Sequence, residues 1–148
     1  MNSHFVTIPT RRFPLAFSLF VFIACAATTA FAGDRIVAGQ YEVTSTRAGK
    51  TTTSSYCTTP EIAKGTNGNA QEVRSYLENS VKTCKISAFD LAGDTINYTM
   101  TCNGMTTTIH VVYHGDHFEG DMTNYHGGQA SVAHTTAKRS GACKAEGQ

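Results

Sequence analysis

The chain reads MTTTIHVVYHGDHFEGDMTNY from Met105 to Tyr125, and this stretch decides the fold. Its centre, Gly115-Asp116, is a two-residue signal for a β-hairpin. Folding the stretch there puts apolar side chains on one face and mostly polar ones on the other, so we predict that one face meets a core. A slip of one residue would exchange the two faces, which fixes the register. The predicted pairs are Tyr113 with Phe118, Val111 with Gly120 and Ile109 with Met122 on the apolar face, and His114 with His117, Val112 with Glu119, His110 with Asp121 and Thr108 with Thr123 on the polar face.

A second hairpin is predicted immediately before the first. Folding the chain about Gly93 places Cys84 opposite Cys102, about 5 Å away and within disulfide reach. A strict two-residue loop at Gly93-Asp94 would put Asn103 opposite Cys84 instead. We therefore expect a three-residue turn or a bulge in this hairpin.

The chain has five cysteines, and four of them lie after the apolar leader that holds Cys25. Once Cys84 pairs with Cys102, Cys57 is left to pair with Cys143, tying the early part of the domain to its C-terminal end. The alternative is a zinc site, but the chain has no C-x-x-C and its cysteine spacings are wide. Two structural disulfides predict an oxidising compartment.

The N-terminal region has the pattern of an export signal. Met1–Arg12 is polar, Phe13–Ala27 is apolar but shorter than the roughly 20 residues of a membrane span, and Ala30-Phe31-Ala32 fits signal peptidase. We predict a signal peptide over 1–32, a single exported β-domain over 33–148, and a periplasmic or secreted protein. The alternatives are an uncleaved membrane anchor and a lipoprotein anchored through Cys25.

Signal removal leaves 116 of the 148 residues, which is enough for one domain. It removes two arginines and no acid, so ten basic residues face 11 acidic ones and the net charge becomes −1. A nearly neutral chain argues against nucleic acid as a partner, because phosphate contacts need clustered Lys and Arg. No later apolar run is long enough to span a bilayer.

The mature chain begins with a short leader, Gly33–Ala38, and the alternation of apolar residues then predicts two strands, a helical excursion and five antiparallel strands. The helical part begins at Thr59, a capping residue followed by Pro60. The remaining predicted segments are a strand Gly39–Thr46, a turn Arg47–Lys50, a strand Thr51–Cys57, a brief helix broken at Gly65–Asn69, a helix Ala70–Val81 with Val73, Tyr76 and Leu77 on one face, and a last strand Gln129–Arg139.

An antiparallel sheet with one apolar face must curl or cover that face. The predicted fold is therefore mainly β with a minor helical segment. It is a curved antiparallel β-meander of about seven strands, a half-barrel or small barrel, with two disulfides and the helical segment near one opening.

Several motifs lie in one order along nearly all of the mature chain. The more specific ones are Cys-x-Thr-Pro-Glu at Cys57–Glu61 and Tyr-x-Gly-x-x-aromatic-x-Gly at Tyr113–Gly120. In these motifs the chain resembles the domain of unknown function 3617 family of small exported bacterial proteins with four cysteines. The resemblance implies a secreted or periplasmic β-domain and assigns no catalytic residue. The chain departs from the family pattern at Tyr41, where Trp is usual, and in its histidines His114, His117, His126 and His134. The other matching positions are Gly39–Val43, Cys84, Cys102–Thr106 and Gly141–Cys143.

The apolar face of the first hairpin is a candidate binding surface. A curved sheet encloses space on its inner side, so apolar side chains there form either a solid core or the lining of a pocket. We prefer a noncatalytic binding or structural module of the cell envelope that takes a small apolar ligand or a partner protein. The candidate pocket residues are Ile109, Val111, Tyr113, Phe118 and Met122.

The alternative function is a weak metal site at the hairpin turn. His114 and His117 face each other across the turn with Asp116 beside them, and a third ligand is needed, either Asp116 or Glu119. His110 and Asp121 pair further along the same face, about 13 Å from His114, too far to share the ion. A solvated polar strand face explains the same residues without a metal, because catalytic zinc usually has three protein ligands.

An enzyme is the third hypothesis. The chain has no nucleophile elbow, metalloprotease motif, Walker loop or dinucleotide-binding fingerprint. His110 and Asp121 can orient a base, but we can name no nucleophile near them, and an ion pair at the rim of the sheet explains them better. We therefore assign no catalytic residue and no cofactor.

Overall fold

A computed structural model describes residues 34–144, and the predicted signal and Cys25 lie outside these residues. The described chain is mainly β, with seven strands and two short helices. The strands are β1 (Gly39–Arg47), β2 (Lys50–Thr58), β3 (Lys85–Ala92), β4 (Thr95–Cys102), β5 (Met105–Tyr113), β6 (His117–His126) and β7 (Gln129–Gly141), and the helices are α1 (Pro60–Asn67) and α2 (Ala70–Ser80).

The strands form one antiparallel sheet in the order β2-β1-β7-β6-β5-β4-β3. Strands β3 to β7 make the predicted meander, and β1 joins it by pairing with β7. Within residues 34–144 the edge strands β2 and β3 do not pair with each other, so the sheet is open and the closed small barrel is not formed. The two helices link these edges in the sequence, because α1 follows β2 and α2 precedes β3.

The register of the β5–β6 hairpin is as predicted. Tyr113 pairs with Phe118 and Ile109 with Met122, while His110 pairs with Asp121 on the other face. Below, the inner face is the face of the sheet that carries Tyr41, Ile109 and Phe118, and the outer face is the one that carries His110 and Asp121. The inner face holds most of the buried apolar side chains, as the alternation indicated.

The β3–β4 hairpin contains the expected bulge. Ala92 pairs with Thr95 around a two-residue loop, and the register shifts between Ser87 and Asp90. Ala88 lies at this shift with φ 47°, in the left-handed region. The extra residue restores the alignment of Cys84 with Cys102, so a two-residue loop and a cross-strand disulfide coexist.

Both predicted disulfides form. Cys84 and Cys102 have Cα atoms 4.5 Å apart, and Cys57 and Cys143 have Cα atoms 5.3 Å apart. The second bridge closes a separation of 86 residues and ties β2 to the end of β7. Two disulfides fit an oxidising location.

Several predicted boundaries are wrong. Strand β2 is one residue longer at each end than predicted, and helix α2 ends at Ser80 instead of Val81. The first turn contains two residues, Ala48-Gly49, rather than four, because both adopt positive φ and let Arg47 pair directly with Lys50. Helix α1 continues through Gly65 to Asn67, since glycine weakens a helix without ending it. Strand β7 continues to Gly141, two residues beyond the predicted end.

Each helix begins with a side-chain cap. The hydroxyl of Thr59 accepts a hydrogen bond from the amide of Ile62, and Pro60 follows it as predicted. Asn69 and Glu72 form a reciprocal capping box at α2. Val73 is buried, and Tyr76 and Leu77 on the same face are partly buried. No helix among residues 34–144 is long and apolar enough to cross a membrane.

The sheet curls around Tyr41, which is fully buried. The Tyr41 ring lies 5.9 Å from that of Tyr56 and 6.1 Å from that of Phe118 between centroids. Strands β1 and β6 are two strands apart, a distance of about 10 Å in a flat sheet, so the rings converge over the inner face. Ile36, Ala63 and Ala137 complete this core cluster.

The segment Asp34–Ala38, here called the strap, crosses this end of the sheet. Ile36 makes an isolated bridge to Gly115 at the β5–β6 turn, and Val37 donates its amide to the Gly115 carbonyl at 3.0 Å. Asn67 at the end of α1 exchanges two hydrogen bonds with the backbone of Ile36. The strap thus joins the turn, the helix and the sheet, a role that its sequence pattern did not indicate.

Candidate functional site

Four of the five predicted pocket residues lie together on the inner face. Ile109 and Val111 of β5 and Phe118 and Met122 of β6 line a cavity of about 130 Å³. Gly120, Asp121 and Thr135 complete its lining, and a Cβ at Gly120 would collide with the His110 carbonyl oxygen and crowd Val111. The absence of a side chain at Gly120 therefore lets β5 and β6 approach closely and leaves space between the larger side chains.

Tyr113, the fifth predicted residue, is not part of this lining. Its ring packs against Phe118 with centroids 5.5 Å apart, toward the end of the sheet that the strap crosses. Burial raises the pKa of the Tyr113 phenol well above its ordinary value. Tyr113 is therefore a core residue beside the cavity rather than a wall of it.

The inner face is covered at one end and open at the other. Helix α1 contacts β2 and helix α2 contacts β3, beside the Tyr41 core. Away from that end, Met105 and Met122 are each 40% exposed although both belong to the inner face. Met122 both lines the cavity and is exposed, so it lies at the mouth of the cavity, where the inner face also carries the polar pair Thr107 and Asn124. Methionine adapts its shape to varied apolar partners.

A larger cavity of about 790 Å³ lies between the strap and the two helices. Apolar atoms of Ile36, Ala63 and Tyr76 line it, with Lys64 and Glu72 also in its wall. Sequence reasoning missed it, because Asp34–Ala38 has no periodicity. A usable signal was the pair Gly65 and Gly68: a Cβ at Gly65 would enter the Tyr76 ring, so this glycine lets α2 pack against α1.

The predicted metal-site residues lie together at the β5–β6 turn on the outer face. The rings of His114 and His117 stack with centroids 4.7 Å apart and an interplanar angle of 20°. Nδ1 of His117 lies 2.7 Å from Oδ1 of Asp116. This hydrogen bond holds the pKa of the Asp116 carboxyl below its usual value.

His110 and Asp121 pair in the strand register, but each side chain hydrogen-bonds to a different residue. Nδ1 of His110 lies 2.6 Å from the side-chain oxygen of Asn97, and Asp121 contacts Nδ1 of His134 at 2.9 Å. These side chains form a polar row across β4 to β7, all exposed except the half-buried Asn97. Within residues 34–144 no group of three or more His, Cys, Asp or Glu side chains is arranged to hold a metal ion.

The fold and the site together define a disulfide-linked antiparallel meander with a sheltered apolar inner face. A family model described as "Protein of unknown function (DUF3617)" matches residues 36–143. The chain belongs to this family, which confirms the resemblance in its motifs. No curated protein and no solved structure matches the chain.

Proposed function

We propose that this protein is an exported, noncatalytic binding module that takes a small apolar group on the inner face of its sheet. The signal pattern over 1–32 and the two disulfides support export. The observation that carries the binding function is the cavity between Ile109, Val111, Phe118 and Met122, next to the exposed part of the inner face.

The size of the cavity limits what it accepts. A dry apolar cavity of about 150 Å³ accepts benzene, so a space of about 130 Å³ suits one ring or one short alkyl branch. The rest of such a ligand lies past Met122, where the inner face carries the polar pair Thr107 and Asn124 beside the exposed Met105. An apolar side chain of a partner protein meets this description as well as a free small molecule does.

Benzene is the direct probe of this cavity. We expect saturable shifts of the methyl NMR signals of Ile109, Val111 and Met122 when benzene is added to the oxidised protein. Met122→Glu places a charge at the mouth of the cavity and weakens benzene binding at least about tenfold, because the carboxylate stays hydrated and disfavours an apolar molecule beside it.

Val132→Glu is the matched control. Val132 is 54% exposed and lies on the outer face of β7, next to the strand of Met122, so it receives the same charge away from the cavity. Benzene binding stays unchanged in this variant. Shifts that do not saturate, or equal binding by the Met122→Glu and Val132→Glu proteins, contradict the proposal.

The stacked histidines support a second candidate, a weak metal site. The hydrogen bond from His117 Nδ1 to Asp116 leaves Nε2 of that ring free, which is how a carboxylate orients a metal-binding imidazole. His114 is close enough to supply a second nitrogen after one ring turns. Zn²⁺ titration tests it: binding lost in His114→Ala but kept in His126→Ala supports the site, and equal binding by both variants refutes it.

A further inference from the structure

Among the residues that the structure describes, edge strand β2 shows none of the devices that usually keep a sheet edge from pairing. Its nine residues keep an unbroken register with β1, and the side chains from Lys50 to Tyr56 are all exposed. The strand has no proline and no bulge, and its one charge is Lys50 at the start. Proteins normally protect such an edge, because its free amide and carbonyl groups recruit another strand.

The opposite edge, β3, carries such protection. The bulge at Ala88-Phe89 interrupts its outer row of backbone groups, and Lys85 and Asp90 place charges on both sides of the bulge. A bulged, charged edge is a poor template for another strand. Of the two edges, β2 is therefore the one suited to pairing, and an assembly through it stops at two copies instead of growing into a filament.

The backbone groups that β2 offers follow from its hairpin. Arg47 and Lys50 flank the two-residue loop as a hydrogen-bonded pair, and successive residues of an antiparallel strand then alternate between facing the neighbour and facing away. Because Lys50 faces β1, alternate residues beginning with the one after Lys50 present their amide and carbonyl groups to the outside of the sheet. These residues are Thr51, Thr53 and Ser55.

We propose that two copies of this chain pair through their β2 strands, antiparallel and about a twofold axis at Thr53. In this register Thr53 faces its own symmetry equivalent, and Thr51 faces Ser55 of the second copy. Each of these outward-facing pairs exchanges two backbone hydrogen bonds. The interface is isologous, as a twofold dimer requires.

The side chains of β2 fit this self-pairing. The stretch Thr51-Thr52-Thr53-Ser54-Ser55 has small hydroxyl side chains on both faces and no charge, so no like charges meet across the axis. Lys50 falls opposite the exposed ring of Tyr56, a favourable cation–π arrangement. The inner-face cavity lies on β5 and β6, so the pairing does not depend on the proposed binding function.

Sedimentation velocity of the oxidised protein tests the proposal, and we expect a dimer. Thr53→Pro removes the central outward amide without touching the β1 ladder, and it raises the dimer dissociation constant at least about tenfold. Thr53→Lys and Thr53→Glu each set two like charges against each other at the axis and give monomers. An equimolar mixture of the Lys and Glu variants restores a dimer, because the charges then attract.

Thr136→Lys is the control. It adds the same charge to the same outer face on central strand β7, where no pairing is proposed, and the protein stays dimeric. The charge-swap mixture keeps the test decisive if Thr53→Pro fails to fold. A monomeric wild-type protein, a dimer that persists in Thr53→Lys, or a Lys–Glu mixture that stays monomeric overturns the proposal.

Discussion

Single residues hold the covered end of this molecule together by accepting or donating hydrogen bonds between segments. The buried hydroxyl of Tyr41 lies 2.8 Å from the Val37 carbonyl and 3.2 Å from the Gly115 carbonyl. Burial raises the pKa of this phenol, so it stays protonated and remains a donor. One side chain of β1 thus links the strap to the β5–β6 turn, the same turn that carries the His114–His117 stack.

Asp116 gives the turn a pH dependence that can be measured at one residue. Its folded pKa is lowered chiefly by the hydrogen bond from His117. A carboxyl with a depressed folded pKa stabilises the fold at pH above its unfolded value, about 3.9, and loses that contribution as pH falls through the folded value. We expect His117→Ala to raise the Asp116 midpoint, measured by carbon NMR of its carboxyl.

The urea midpoints of wild type and His117→Ala then differ at neutral pH and converge in acid. His126→Ala is the control, since His126 lies at the far end of β6, away from Asp116. An Asp116 midpoint that is identical in wild type and His117→Ala shows that the hydrogen bond does not form in solution.

At the scale of elements, the bulge in β3 sets the alignment of a whole hairpin. Ala88 holds the left-handed conformation that the register shift requires, which costs a residue with a Cβ about 1 kcal/mol. We expect Ala88→Gly to raise the free energy of unfolding by about 0.5–1 kcal/mol, measured by urea denaturation with the disulfides intact.

Ala92 provides the matched substitution in the same strand. It pairs regularly with Thr95 and does not have positive φ, so Ala92→Gly lowers the free energy of unfolding by about 0.5–1 kcal/mol. Opposite signs for the two Ala→Gly changes are the expected result. Two losses of similar size mean that Ala88 is not strained.

The two disulfides close chain loops of very different lengths. Loop-closure entropy gives about 4.5 kcal/mol for a separation of 86 residues and about 3 kcal/mol for one of 18. Replacing Cys57 and Cys143 by Ala therefore costs about 1.5 kcal/mol more than replacing Cys84 and Cys102, as measured by thermal and urea unfolding. The reverse order means that the β3–β4 bridge stabilises through its native contacts more than through the unfolded chain.

Local patterns predicted the elements whose pairing is decided by neighbours in the sequence. The β5–β6 register followed from alternation around Gly115-Asp116, and the β3 bulge followed from the conflict between a two-residue loop and the position of Cys102. Four of the five predicted pocket residues came together for the same reason, since they occupy one face of one hairpin.

The sequence patterns did not predict features that depend on contacts between residues far apart in the chain. Nothing in Asp34–Ala38 reveals that its backbone meets Gly115 or Asn67, which lie far away in sequence. An open or a closed sheet likewise depends on how closely β2 approaches β3, and strand periodicity carries no information on that distance. The larger cavity beneath the strap was missed for the same reason.

Arg35 connects the strap to two parts of the chain that are far away in sequence, and its replacement by alanine tests that role. Its Nε donates to the Gly93 carbonyl at 2.9 Å, and its Nη1 donates to the carbonyls of Thr66 at 2.7 Å and Gly68 at 2.9 Å. The guanidinium therefore joins the strap to the β3–β4 turn and to the end of α1. Hydrogen bonds from a charged donor contribute about 1.5–3 kcal/mol each, and partial exposure reduces this here.

We expect Arg35→Ala to lower the free energy of unfolding by about 2 kcal/mol, measured by urea denaturation, and to speed amide exchange at Val37 and Gly115. Arg74→Ala removes an arginine of equal size from an exposed pair with Glu78 on α2, and it changes stability by about 0.5 kcal/mol or less. The Gly115 amide donates to the Arg35 carbonyl and the Val37 amide to the Gly115 carbonyl, and neither bond uses the guanidinium that the substitution removes. Faster exchange at both sites therefore demonstrates that the strap loosens as a unit. If the two Arg→Ala changes have equal effects and exchange at Gly115 is unaltered, the prediction is wrong. The Tyr41 core alone then stabilises this end of the sheet, without a contribution from the strap.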